Sequence, residues 1–254
     1  MNYKPLKDQI VLVTGSSRGI GKAIAHRFAN AGATIIVNSS KSVDEALAVL
    51  SDLPRSNPHQ KDHSFIAADM GEPSQILKLV KSVEERYGHL DVLINNAATT
   101  TFIKHSDLDK LSIDLSDQMY KTNFRGPLVL IQQALPLLKK GKHPQIINIV
   151  STAATTAMGS NVVYCAMKAA LLNLTYSLAR ALAPDIRVNA VSPGLIKTEL
   201  TKAWKEYHEG HLLKTPLQRL GLPEDIAEAA ISVATSLPFV TGQNLIVDGG
   251  RGLI

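Results

Sequence analysis

Cysteine is almost absent from this chain of 254 residues, which contains one, Cys165. A single cysteine cannot form an internal disulfide, and no Cys/His cluster has the spacing of metal ligands, so the sequence offers no candidate metal site. We therefore expect a reducing, cytoplasmic compartment. We interpret Cys165 as a buried small side chain rather than as a reactive thiol.

Long apolar runs and clustered charge are also missing. No uninterrupted apolar run approaches the ~20 residues that cross a bilayer, and the first eight residues lack the apolar segment of a secretory signal. The net charge is +5, but the basic residues are scattered. We expect no membrane and no nucleic-acid partner, and we interpret the charge as a solvated surface, with an anionic cofactor or an acidic carrier as the alternative.

What is present is a regular alternation of apolar, β-branched segments and amphipathic helices. Strands are expected at 10–14, 34–37, 64–67, 92–94, 145–150, 187–191 and 244–247, with helices at 20–31, 43–53, 73–87, 112–139 and 163–183. Pro127 and Pro136 are expected to break or bend the helix over 112–139. The pattern predicts an α/β fold, a Rossmann-like doubly wound parallel sheet with helices on both faces, in a single domain over residues 1–254. In such a sheet the ligand lies beyond the carboxyl ends of the strands.

A glycine-rich turn follows the first predicted strand and opens the first helix. Exposed N–H groups and the helix dipole favour phosphates at this place. Its spacing, Gly-x-x-x-Gly-x-Gly, differs from the general dinucleotide fingerprint; a bound dinucleotide is favoured over a plain strand-helix turn. The candidate cofactor residues here are Gly15, Ser17, Arg18, Gly19, Ile20 and Gly21.

The end of the second strand bears on the choice of cofactor. Enzymes of this architecture that use NAD tend to place an acidic residue there, whereas this chain has Asn38, Ser39, Ser40 and Lys41, with no carboxylate before Asp44. A hydroxyl-rich, basic surface that Arg18 could join suits a 2′-phosphate. NADP(H) is therefore favoured over NAD(H), the alternative being that the two cations are only solvated.

Asp69 lies at the end of the third strand, with Met70 beside it. The carboxylate either accepts a hydrogen bond from the adenine amino group or caps the helix that begins near Pro73. The sequence favours neither.

A serine, a tyrosine and a lysine form the candidate catalytic group. Tyr164 and Lys168 are four residues apart on a predicted helix and share a face, and Ser151 follows a strand end. A lysine cation lowers the pKa of a nearby phenol towards the range of a general acid or base. Ser151 would polarise a substrate carbonyl, Lys168 would also bind the nicotinamide ribose, and Asn123 would hold a water that relays protons. Each residue alone has an ordinary structural explanation; their order after the glycine turn favours catalysis.

The sequence at this point resembles the classical short-chain dehydrogenase/reductase family over nearly its whole length. The resemblance rests on Thr14 to Gly21, Asp69, Asn95-Asn96-Ala97, Asn123, Ser151, Tyr164 to Lys168, Pro193-Gly194 with Thr198, and Val247 to Gly250. It implies a seven-stranded sheet, an NAD(P) cofactor, the Asn-Ser-Tyr-Lys tetrad and a homo-oligomer, a tetramer or a dimer.

The resemblance also assigns further cofactor contacts. Asn96 and Ala97 would line the cofactor ribose, and Asn95 would brace the sheet. The segment after strand six would lie near the nicotinamide carboxamide; it contributes Pro193, Gly194, Ile196 and Thr198. One departure is visible, because Ala98 stands where the family usually has glycine; its methyl group would narrow the pocket or shift the loop.

Among subfamilies the chain looks most like the 3-oxoacyl-[acyl-carrier-protein] reductases and related NADPH-dependent carbonyl reductases. The predicted reaction is NADPH-dependent reduction of a small ketone, or of a carrier-bound acyl thioester, to a secondary alcohol. The alternatives are an NAD-dependent secondary-alcohol, sugar or polyol dehydrogenase, and a non-catalytic dinucleotide sensor. Residues 195–216 would form a lid over an apolar substrate, or an ordinary packed helix; its apolar side chains are Leu200, Ala203, Trp204, Tyr207, Leu212 and Leu213.

Overall fold

The computed structural model of the chain describes residues 5–55, 60–202, 210 and 212–253. Seven parallel strands form one sheet in the order β3-β2-β1-β4-β5-β6-β7, which confirms the predicted architecture. The strands are β1 Ile10–Val13, β2 Thr34–Ser39, β3 Ser64–Ala67, β4 Val92–Asn95, β5 Gln145–Ile149, β6 Arg187–Pro193 and β7 Asn244–Val247.

The central strands are apolar because both faces of the sheet are covered. Every residue of β1, β2, β4 and β5 is buried, as expected of a parallel sheet between two helical layers. The helices are α1 Gly19–Asn30, α2 Val43–Asp52, α3 Pro73–Tyr87, α4 Ile113–Tyr120, α5 Gly126–Leu138, α6 Ala153–Thr156, α7 Val162–Leu182 and α8 Pro223–Thr235. One core cluster joins the sheet to α1 and α8, and another joins its opposite face to α3 and α5.

The long helix expected over 112–139 is interrupted before its prolines. A π-helical segment, Lys121–Arg125, separates α4 from α5 and carries Asn123. Pro127 lies in the first turn of α5, directly after the π segment, where it cannot continue the hydrogen-bond ladder of the preceding turn, and Pro136 lies inside α5. The interruption therefore lies just upstream of the position that Pro127 predicted, and such π segments are frequent at functional sites.

Helix α7 comes closer to the dimensions of a membrane span than the sequence suggested. It has 21 residues with a mean hydropathy of 1.3, and by length and composition it is the one helix of the described ranges that could cross a bilayer. It also contacts α6 and β6 and carries Tyr164 and Lys168 on its cleft face. We therefore assign it to the interior of the α/β layer.

Candidate active site

A cleft of about 530 Å³ runs along the carboxyl ends of the strands. It crosses the boundary between β1 and β4, where the strand order reverses and where ligands of doubly wound sheets bind. Every cofactor residue predicted from the sequence and three of the four catalytic candidates line it. They are Gly15, Ser17, Arg18, Gly19, Ile20, Gly21, Asn38, Ser39, Ser40, Asp69, Met70, Asn96, Ala97, Pro193, Gly194, Ile196, Thr198, Ser151, Tyr164 and Lys168.

The glycine turn has the form that a pyrophosphate requires. Gly15 has a φ of +62°, and a Cβ built on it would lie 2.9 Å from the Ala97 Cα, so only glycine fits there. Arg18 caps α1 in an extended conformation without a side-chain hydrogen bond to the helix, and the first turn contains no acidic residue. The N–H groups at the start of α1 are therefore not taken by a side-chain cap, and the turn fits a dinucleotide.

Thr14 and Asn96 fasten the glycine turn to the end of β4. The Thr14 hydroxyl accepts hydrogen bonds from the backbone N–H groups of Asn96 (2.9 Å) and Ala97 (3.0 Å). The Asn96 side chain donates to the carbonyls of Thr14 (2.8 Å) and Gly15 (3.0 Å). A Cβ on Gly21 would meet the Gly15 carbonyl and the Asn96 amide. The Asn96 side chain is therefore committed to shaping the turn.

Asn38 proves to be a brace at the end of β2. Its side chain accepts from the Gly15 N–H (3.2 Å) and donates to the carbonyls of Ile66 and Ala68 (3.1 Å each). Its polar atoms join β2 to the glycine turn and β3, and the role of Asn38 in binding a cofactor stays a prediction. The neighbouring Arg18, Ser40 and Lys41 are exposed, and Ser39 is buried.

Asp69 does not cap α3, which excludes one of the two alternatives left open. Its Oδ1 accepts from the Gly71 N–H at 2.7 Å, and the residue that caps α3 is Glu72, without a side-chain hydrogen bond. Asp69 is partly exposed and lines the cleft. The adenine contact remains the prediction for its carboxylate.

The segment after β6 approaches the glycine turn from the opposite wall. A Cβ on Gly19 would lie 3.5 Å from the Thr198 methyl carbon, so the two segments nearly touch. Gly194 packs so closely on Asp248 that a Cβ would lie 2.8 Å from the Cβ of that residue. The two late motifs of the sequence therefore pack against each other at this wall of the cleft.

Ser151 and Tyr164 meet on the floor of the cleft. Ser151 follows β5 and accepts a hydrogen bond from the Ala153 N–H at 3.1 Å. Its hydroxyl also interacts with that of Tyr164 and lowers the pKa of the phenol. Two hydroxyl groups thus converge on one point, which is the arrangement needed to polarise and protonate a carbonyl oxygen.

The electrostatics of Tyr164 correct the expectation that lysine lowers its pKa. Burial raises the pKa of Tyr164 to about 12, and the hydrogen bond from Ser151 offsets this only in part. Burial also lowers the pKa of Lys168 to about 8. The Lys168 ammonium donates to the Ile149 carbonyl at 2.8 Å and keeps further N–H donors for a ribose. Desolvation therefore outweighs the lysine charge in this structure.

Asn123 lies beneath the cleft instead of lining it. It is 1% exposed, its Oδ1 accepts from the Thr99 N–H and its Nδ2 donates to the Thr99 carbonyl, both at 2.8 Å. Both ends of the amide bind one backbone residue, and the relay water expected at Asn123 stays a prediction. Asn123 positions the segment after β4.

Ala98 occupies the family's usual glycine position without backbone strain. It is exposed and lines the cleft, and it is not among the described non-glycine residues with a left-handed φ. Asn95, as the resemblance implied, braces the sheet through a 2.8 Å hydrogen bond to Asn148.

Several cleft residues lie outside the sequence motifs. They face the cavity from the loops after β4 and β5, from α4 and from the C-terminal turn, and include Thr100, Phe102, Gln118, Met158, Ser160 and Arg251. In the sequence, the position of the run Thr99 to Phe102 directly after a strand indicates that it lines the cleft. Leu200 of the expected lid lines the cleft, and Leu213 is 86% exposed, which argues against core packing there. Ala203, Trp204 and Tyr207 lie outside the described residues.

Cys165 is buried beside Gly159. A Cβ built on Gly159 would lie 2.8 Å from the cysteine sulfur. Burial raises the pKa of this thiol, which makes it inert. Within residues 5–55, 60–202, 210 and 212–253, no group of three or more His, Cys, Asp or Glu could hold a metal ion.

Comparison with known proteins agrees with this geometry. The family described as "Enoyl-(Acyl carrier protein) reductase" matches residues 15–251. A protein of Streptomyces violaceoruber described as a ketoacyl reductase of the granaticin polyketide synthase is 36% identical over 248 residues, covering 96% of each chain. The 3-oxoacyl-[acyl-carrier-protein] reductase FabG of Staphylococcus aureus strain Mu50 is 35% identical, over 94% of this chain and 96% of its own.

Among solved structures, a short-chain dehydrogenase of Burkholderia cenocepacia J2315 in complex with NADP superposes with a TM-score of 0.89 and 32% identity. The match covers 98% of this chain and 99% of that one. The chain belongs to the short-chain dehydrogenase/reductase family. It is an NAD(P)-dependent oxidoreductase that acts on CH–OH and C=O groups, and its relatives support a member that reduces ketones.

Proposed function

We propose that this protein is an NADPH-dependent reductase that converts a ketone to a secondary alcohol, with a 3-oxoacyl thioester as the leading substrate class. The observation that carries the proposal is the pairing of two hydroxyl groups, Ser151 and Tyr164, with the buried Lys168 on the cleft floor. The ketoacyl and 3-oxoacyl reductase names of its relatives support the substrate class.

Residues of this chain supply the proton that the carbonyl oxygen takes up during reduction. Tyr164 is protonated at neutral pH, as a phenol ordinarily is, and donates that proton to the carbonyl oxygen; burial, which raises its pKa, opposes this loss. The Ser151 hydroxyl fixes that oxygen by a second hydrogen bond. Lys168 orients the cofactor ribose and stabilises the phenolate that remains after donation. When bound, the nicotinamide cofactor supplies the hydride.

The preference for NADPH rests on charge at one end of the cleft. Arg18 and Lys41 are exposed beside Ser39 and Ser40, and the nearest acidic residues in sequence, Asp44 and Glu45, belong to the first turn of α2. A 2′-phosphate would gain charge-assisted hydrogen bonds there. The structure of the Burkholderia cenocepacia relative contains NADP, which supports the same preference.

The remaining features of the proposal concern the setting of the enzyme. We propose a single catalytic domain, a cytoplasmic location, a homodimer or homotetramer, and a carbonyl or alcohol substrate that is small or attached to an acyl carrier. The cofactor contacts assigned above, from Gly15 to Thr198, belong to this proposal.

A substrate panel tests the function directly. The full chain is assayed with acetoacetyl-coenzyme A, simple ketones, secondary alcohols and aldoses, each with the matching redox form of both cofactors, by nicotinamide absorbance. We expect the thioester and NADPH to give the highest kcat/KM, with NADPH preferred by at least about tenfold. A strong NADH preference overturns the cofactor assignment, and faster alcohol or sugar oxidation with NAD⁺ favours the dehydrogenase. Cofactor binding without any turnover favours a non-catalytic sensor.

A further inference from the structure

Asn161 links the catalytic tyrosine to the rest of the cleft although it does not line the cleft itself. It caps α7 in an extended conformation, and its Oδ1 accepts a hydrogen bond of 2.8 Å from the backbone N–H of Tyr164. The side chain is 1% exposed. The main chain that carries the general acid is therefore held by one buried amide.

The other end of the same amide holds the wall that faces Tyr164. The Asn161 Nδ2 donates to the Thr101 carbonyl at 2.7 Å and lies 3.3 Å from the Thr100 hydroxyl oxygen. The adjacent Ser160 hydrogen-bonds the Thr100 hydroxyl through its own, and its carbonyl accepts from the Ile103 N–H at 2.8 Å. Thr100 and Ser160 line the cleft, so Asn161 anchors this part of its wall.

Two buried asparagines thus hold the segment 99–103 from both ends. Asn123 binds both polar groups of the Thr99 backbone, and Asn161 binds Thr101. The segment has no helix or strand of its own. Its position therefore depends on these two side chains together with the bonds of Ser160 to Thr100 and Ile103, and not on a strand ladder.

We propose that Asn161 is a positioning residue for the reaction, which sets the distance between the Tyr164 hydroxyl and the substrate wall formed by residues 99–103. The proposal rests on the proposed function, because this distance matters only if Tyr164 protonates a ketone bound against that wall. Small errors in such spacing cost rate steeply, since the reacting groups must lie in near-attack geometry.

Substitutions can separate the two halves of the amide. Asn161→Asp keeps an oxygen that caps α7 well, but it replaces the N–H donor that faces the Thr101 carbonyl with an acceptor. Asn161→Ser also keeps the cap and is too short to reach Thr101. Asn189→Asp is the matched control: Asn189 is equally buried and bridges Val240 and Gln243 through both ends of its amide, outside the cleft lining.

The experiment compares these full-length variants by ketone kcat and KM, by the dissociation constant of NADPH from its fluorescence, and by Tm. We expect Asn161→Asp to lower kcat/KM for the ketone by at least about tenfold while NADPH affinity stays within about twofold of wild type. Asn189→Asp should lower Tm and leave kcat/KM within about twofold, as expected of a distant site.

Two results would overturn the proposal. One is a kcat/KM for Asn161→Asp that matches Asn189→Asp, and the other is an equal loss of NADPH affinity, which would indicate general disruption. If Asn161→Asp does not fold, Asn161→Ser is judged by the same criteria. Failure of the wild type to reduce any ketone overturns the proposed function instead, and the comparison of variants is then made in the direction of alcohol oxidation.

Discussion

The Lys168 ammonium nitrogen lies 5.8 Å from the centre of the Tyr164 ring, and the two groups are held one helical turn apart on α7. Burial raises the pKa of the phenol to about 12 and lowers that of the ammonium to about 8. A protonated phenol therefore lies beside a lysine cation at neutral pH. The protonated phenol is the form that donates a proton in carbonyl reduction, and the neighbouring cation favours the phenolate that this leaves, against the cost of burying it.

The first prediction concerns Tyr164 itself. Tyr164→Phe removes the proton donor and keeps the ring, so ketone reduction should fall by about 10²–10⁴-fold, while NADPH binding measured by fluorescence is retained. Tyr176→Phe is the matched control, because Tyr176 lies on the same helix, is exposed and stands outside the cleft lining. Near-normal turnover by Tyr164→Phe would refute the assignment of the general acid.

The second prediction follows from the buried cation of Lys168. Its folded-state pKa of about 8 lies below the ordinary value of 10.5, so the folded chain binds fewer protons than the unfolded chain between these values. Stability should therefore rise with pH across this window. Relative to Lys168→Met, the wild type should gain about 2 kcal/mol of unfolding free energy between pH 7 and pH 10.

Urea unfolding at pH 7 and at pH 10 measures this difference. The range stops at pH 10 because the raised pKa of Tyr164 lowers stability at higher pH, where the folded chain keeps a proton that the unfolded chain loses. Lys22→Met, at an exposed lysine of α1, should follow the wild type. Identical pH dependence of wild type and Lys168→Met would show that Lys168 titrates normally.

The third prediction concerns Arg18, the exposed cation of the glycine turn. Arg18→Ala should raise the KM for NADPH by about tenfold to a hundredfold, which corresponds to the loss of a charge-assisted hydrogen bond to a 2′-phosphate. The KM for NADH should stay within about twofold, because NADH lacks that phosphate. Lys22→Ala is the control, since this lysine is on the same helix but outside the cleft lining. A parallel rise for both cofactors would exclude selection by Arg18.

The elements of the fold could be predicted because the signals were local. Continuous β-branched runs gave the buried strands, and the positions of Gly15 and Gly21 marked the turn between β1 and α1. Pro127 predicted a break close to this place, but the π-helical form of the segment at 121–125 could not be predicted from residue preferences.

The sequence predicted which residues belong to the candidate site better than it predicted what each of them does. Side chains with the right chemistry at strand ends do reach the cleft, yet Asn38 and Asn123 use their amides on backbone groups 23 to 30 residues away. The spacing of Tyr164 and Lys168 showed that they share a face but not how deeply each is buried. Desolvation, which sets both pKa values, depends on the whole surrounding fold.

The last prediction tests the alanine at position 98, where the family usually has glycine. Because Ala98 is exposed in the cleft and has no left-handed φ, its methyl group should cost neither backbone strain nor activity. Ala98→Gly should keep kcat/KM within about threefold and lower the unfolding free energy by about 0.5–1 kcal/mol, through the greater freedom of the unfolded chain.

Ala98→Val should lower kcat/KM by about tenfold, because a branched side chain would enter the cleft. Ala67→Val, at an exposed alanine of β3 outside the cleft lining, should be close to neutral. A rise in kcat/KM beyond about tenfold for Ala98→Gly would mean that the methyl group already obstructs the substrate, and it would place residue 98 among the determinants of specificity.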